Sequence, residues 1–268
     1  MSKTFIKQMY NFLSLHIPPI FAYSLFIVMV SILLFYFAGL SHAPIQAELF
    51  DFYVITFRDH FFLTAIFHNS LLALFIFFLP RQSFQKYVFV RFGSKLKWFK
   101  QTCIMLFFVS FFYLFGIIFL MLLMSGLYLT PAADWGDYAL NYFQITKEQI
   151  VVSPIPFFMV QFILILLFTY IVALLFLIGW IITQNSIAAF AFPVVLYLLS
   201  ISSIQLPSMI LLSSYFPLNQ LYQNPANMNI EQVFTGFIIL LFYIIALLAI
   251  GAWYIQRRDL AWGKHEIN

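Results

Sequence analysis

Groups that could do chemistry are scarce in this chain. His68 and Asn69 stand together near the middle of an apolar run over residues 59–79. Polar groups at that depth normally face protein rather than lipid. The preferred reading of the pair is an interhelical hydrogen bond, and a place on a translocation path is the alternative. His42, Glu48, Asp51, Asp59 and His60 come nearest to a metal-ligand set. They lack the tight spacing of a metal centre, so they read as a solvated acidic rim with no metal. Cys103 is the only cysteine, which excludes an intrachain disulfide and a cysteine-metal cluster. The chain has no Gly-x-Ser-Gly serine matched to an intramembrane histidine, no His-Glu-x-x-His and no paired aspartates in apolar runs. Nor does it carry Gly-x-x-x-x-Gly-Lys-Ser/Thr, so it does not cradle ATP phosphates by that route. It does not read as an enzyme, and no cofactor is expected in it.

The strongest signal is electrostatic. Residues 80–101 hold Arg81, Lys86, Arg91, Lys95, Lys97 and Lys100, with no Asp or Glu. Phe84, Tyr87, Phe89, Phe92, Trp98 and Phe99 are interleaved with these charges. A connection that only had to stay wet would not need so many aromatics. The pattern predicts a short amphipathic helix along the membrane surface, offering one face to a cytoplasmic partner. Ser94, after Gly93, is placed to cap the helix that runs on into the next apolar run.

The elements that must position these residues follow from composition. The chain has 268 residues, of which 64% are hydrophobic and 8% charged. Soluble domains carry about 25% charged residues, and the mean hydropathy here is +0.98. The protein therefore reads as an integral membrane protein, and its net charge of +4 is no nucleic-acid signal because the basic residues flank apolar runs. Residues 1–19 read as an interfacial helix closed by Pro18 and Pro19. Six runs of spanning length follow, at residues 20–40, 59–79, 102–129, 157–182, 187–204 and 233–255. Pro193 should break the fifth. Residues 130–156 form a polar outer connection, and residues 183–186 a very short inner turn. Residues 205–232 carry no Lys or Arg and three prolines, and read as an outer re-entrant segment. With both termini inside, the outer connections hold only Arg58 and Lys147, as the positive-inside rule requires. No internal repeat supports a two-repeat secondary transporter, and no span carries a central Asp or Glu for a proton relay.

This layout, all-α with six spans, resembles the permease subunits of ABC-2-type ABC exporters over the whole chain. The sharper local matches are RFGSKLKWFKQ, residues 91–101, and YIQRRDL, residues 254–260. The resemblance implies a single permease domain over residues 1–268 in the plasma (inner) membrane of a bacterium, multi-pass, with cytoplasmic termini. Residues 82–92 would be the coupling helix seated in a separate ABC ATPase subunit, with Phe84, Lys86, Tyr87, Phe89, Arg91 and Phe92 as its contacts. Thr183, Gln184 and Asn185 would make a second, minor contact. ATP and magnesium would be held by that partner. A second permease copy, or a sister permease, would complete the path. Aromatic spans without charge suit export of an amphipathic peptide of bacteriocin or toxin type, or self-protection against one. Lipid, glycan or drug export is the nearest alternative. A non-transporting anchor or assembly protein, whose basic stretch recruits a partner or anionic lipid, is the reading from a different class.

Overall fold

The computed structural model describes residues 48–59, 61–78, 94–129, 134–205, 215–221 and 228–257, with residues 30, 33, 34, 37, 39 and 226 besides. Among the described residues the elements are all helical. In chain order they are α1 (Leu49–Arg58), a π-helix (Phe61–His68) continued by α2 (Asn69–Phe78), and α3 (Lys95–Tyr128). A short α4 (Asp137–Phe143) and a 3-10 turn (Lys147–Gln149) precede α5 (Pro154–Thr183). Then come α6 (Ser186–Ala189), α7 (Ala191–Gln205), a 3-10 turn (Pro217–Leu221) and α8 (Ile230–Arg257). The interfacial N-terminal helix and most of the run over residues 20–40 lie outside the described residues.

The helices α3, α5 and α8 are long and apolar enough to cross a membrane. The bent pair of α1 and the segment after it makes a fourth if counted as one span. The bend is 76°. Helix α1 packs on α3 and α4. The expected fifth span is shorter and broken at Phe190, three residues before Pro193. Proline has no N–H and its ring collides with the carbonyl four residues back, so the helix yields at Ala189–Phe190 and restarts with Pro193 in its first turn.

Helix α5 is the pillar. It carries no charged residue and is apolar on every side, the pattern of a helix surrounded by others. Of its most apolar stretch 78% is buried, against 33% for α3 and 22% for α8. Side-chain pairs fix the direction of its neighbours. Phe75 meets Phe176 and His68 meets Thr169, so the π-helix and α2 run parallel to α5. Trp98 meets Trp180 and Phe111 meets Phe162, so α3 is antiparallel. Phe190 meets Phe176 and Tyr197 meets Phe168, so α7 is antiparallel too. Ile178 and Gly251 lie side by side where α8 descends with α5. The 3-10 turn Pro217–Leu221 packs among α5, α7 and α8 at the opposite end, with Gln220 and Leu221 buried.

Candidate functional site at the basic end of the bundle

Phe84, Lys86, Tyr87, Phe89, Arg91 and Phe92 lie outside the described residues. The structure does describe how their stretch joins the bundle. Ser94 Oγ accepts from the Lys97 N–H at 3.1 Å, so Ser94 is the N-cap its position predicts. The basic stretch thus ends as the first turns of α3. Trp98 and Phe99 turn inward: Trp98 lies 5.8 Å from Trp180 of α5, ring centre to ring centre. Phe99 fills the notch over Gly251 of α8, where an added Cβ would come within 2.5 Å of its ring. Lys97 and Lys100 stay exposed. Lysines at a helix N-terminus oppose the helix dipole. Their presence is therefore not explained by the stability of α3.

Thr183, Gln184 and Asn185 end α5 at the same level. Gln184 adopts a left-handed conformation at φ 54° and its N–H bonds the Trp180 carbonyl. Thr183 Oγ1 donates to the Gly179 carbonyl at 2.8 Å. Asn185 Oδ1 accepts from the Ile187 and Ala188 N–H groups and so caps α6. The turn is self-contained, and all three side chains have structural work within it.

His68 and Asn69 sit where the π-helix passes into α2, a break in regular α geometry of a kind often found at functional sites. His68 is fully buried and its Nε2 lies 3.2 Å from Thr169 Oγ1 of α5. Its ring stacks on Tyr197 of α7, and Phe67 and Phe168 meet it edge-on. The Nδ1 atom has no hydrogen-bond partner among the described residues. His68 thus ties three helices together. Asn69 is half-buried beside it. Two further bonds tie α3 into the core: Ser70 to Tyr113, and the Tyr170 hydroxyl to the Cys103 carbonyl.

The opposite end corrects one sequence reading. Asp51 belongs to no solvated rim but is fully buried. Its Oδ2 accepts from the Glu48 N–H at 2.7 Å, and the carboxylate also faces the Ala139 N–H in the first turn of α4. Gly136 precedes α4 and supplies no side-chain cap, and Asp51 fills the space where a Cβ would stand. Burial is the main cause that pushes the Asp51 carboxyl up to about 6. Glu48 is raised as well, first by burial, against the pull of Lys147. Sequence alone gives no sign of this burial, because the space over Asp51 is made by a glycine far along the chain. Among the described residues no cluster of three or more His, Cys, Asp or Glu could hold a metal ion. Compared with known proteins, the chain matches no family model, no curated sequence and no solved structure.

Proposed function

We propose that this chain is the membrane-spanning subunit of an ATP-driven exporter of the ABC-2 type, acting as a dimer with separate ATPase subunits. The observation that carries the reading is the seam at Trp98 and Phe99. Helix α3 starts at its cap Ser94, directly after the basic, aromatic stretch in sequence, and is clamped to α5 and α8 within its first two turns. At 34 residues, α3 is about 50 Å long against a hydrocarbon core of about 30 Å. A push on the basic stretch would be carried into the bundle as motion of a rigid helix. The six-span topology, the coupling helix at residues 82–92, the re-entrant segment at 205–232 and the cytoplasmic termini belong to the same reading. The cargo we infer is an amphipathic peptide, since the helices expose Phe112, Phe115, Phe119 and Phe242 and few charges.

The test is pull-down of any ABC ATPase found encoded beside this chain, with membrane levels checked for every variant. Phe89→Ala or Phe92→Ala should release the ATPase or uncouple hydrolysis from transport, because a buried interface aromatic is worth about 2 kcal/mol or more. Lys95→Gln alone should change little. If charge variants lose the ATPase while the aromatic variants keep it and keep transport, the anchor reading replaces this one. In that reading each basic residue near an anionic lipid surface contributes about 1 kcal/mol.

A further inference from the structure

We propose that Asp51 is the proton-operated latch of a small cap, formed by α4 and the turn after it, that closes the carboxylate-rich end of the bundle. Beside the Arg58 guanidinium over Phe143, two attachments of the cap matter here. One is aromatic: Trp135 sits edge-on against Phe143 and Phe157, and its Nε1–H donates to the Val152 carbonyl at 2.8 Å. The other is the Asp51 carboxylate, enclosed where α4 meets α1, with Gly136 directly over it. The carboxyl groups around that second attachment set its behaviour. Glu48 stands just before the start of Asp51's own helix, and the exposed Asp137 of α4 acts on Asp51 more weakly. Asp134 and Lys147, from the segments flanking α4, act on Glu48. From α3 no charged residue faces it, since residues 101–129 contain none. Arg58 ends α1 and lies over the Phe143 ring of the cap, Asp59 follows it, and of the described π-helix residues only His68, at the far end, can titrate.

An enclosed carboxyl among like charges favours its neutral form, by burial first and repulsion second. With the cap docked Asp51 titrates near 6, and its ordinary value is 3.8. The undocked state therefore holds fewer protons across that window, so undocking releases a proton and a rise in pH favours it. The cap should close in acid and loosen as the pH rises through about 6. This inference does not depend on the exporter reading.

Hydrogen–deuterium exchange of the full chain in lipid nanodiscs tests it, read over residues 134–150 at pH 5 and pH 7.5 after correction for intrinsic rates. The wild-type segment should exchange about 10-fold faster at the higher pH, the ratio that linkage gives for a group moving between those two values. In Asp51→Asn the ratio should fall sharply, leaving only what the raised Glu48 contributes. A wild-type ratio near 1, or a dependence undiminished in Asp51→Asn, overturns the latch. Asp137→Asn covers the case in which Asp51→Asn fails to fold. Removing that neighbouring charge should move the midpoint to lower pH, and a midpoint that stays in place overturns the latch equally.

Discussion

The two ends of this bundle are held by different means. At the basic end the seam is apolar and close: Phe99 sits in the notch over Gly251, Trp98 leans on Trp180, and Lys97 and Lys100 are exposed. The described cations there are Lys95, Lys97, Lys100 and Arg257, and no described carboxylate accompanies them. At the other end the seam is polar, built on a buried aspartate, and Glu48, Asp51, Asp59, Asp134, Asp137, Glu148 and Glu231 outnumber Arg58 and Lys147. A bundle assembled only for packing has no reason to sort its charges this way. Orientation in a membrane does supply a reason, because cations near span ends resist translocation.

The sharpest way to break that contrast is all-or-none. In a Cys103→Ser background, Asp134→Cys should react with an impermeant thiol reagent in intact cells, and Lys95→Cys should react only after lysis. Labelling of position 95 but not 134 would invert the molecule and remove the cytoplasmic assignment of the basic stretch.

A second measure compares glycines. Gly251 has Phe99 against its Cα, whereas Gly116 in α3 has no atom within 4 Å of an added Cβ. Gly251→Ala should lower the melting temperature in detergent, with a cost of about 1–3 kcal/mol from overpacking against a buried ring. Gly116→Ala should be neutral or stabilise by up to about 1 kcal/mol, the ordinary helix-propensity gain. Equal effects at the two sites would mean that the Phe99 seam does not hold the basic end together.

The two ends also differ in how far the sequence reveals them. At the basic end local rules suffice. Ser94 caps α3, the turn at residues 183–186 falls where an apolar run meets Thr, Gln and Asn, and α8 covers the expected final run. At the other end long-range packing decides. Residues 49–58 fall in the outer connection that the sequence places between the runs 20–40 and 59–79, yet they fold as α1 with Phe52, Tyr53 and Phe57 buried. A partial signal existed for α4, where Ala139, Leu140 and Phe143 recur at helical spacing and are buried together. The π-helix before His68 has no sequence signature. The candidate contacts before Ser94 were legible as chemistry, while their geometry lies outside the described residues.

The smallest effects separate the two cations at the carboxylate-rich end. Arg58 lies with its guanidinium 4.6 Å from the centre of the Phe143 ring, half-buried between α1 and the cap. Lys147 reaches Asp137 at 3.5 Å, and the two side chains are 71% and 64% exposed. A cation over an aromatic face gains about 0.5–1 kcal/mol at an exposed site and about 2 when desolvated. An exposed ion pair is worth about 0–1 kcal/mol, and salt screens it. Arg58→Gln should therefore destabilise the cap by about 1 kcal/mol, seen as faster exchange over residues 137–143. That loss should persist in high salt, because the ring contact is partly shielded from solvent. Lys147→Gln should cost less, and its effect should vanish in high salt. If Lys147→Gln proves the costlier change, the cap is held by surface charge rather than by its aromatic and carboxylate attachments, and the polar seam would have to be redrawn around Asp137.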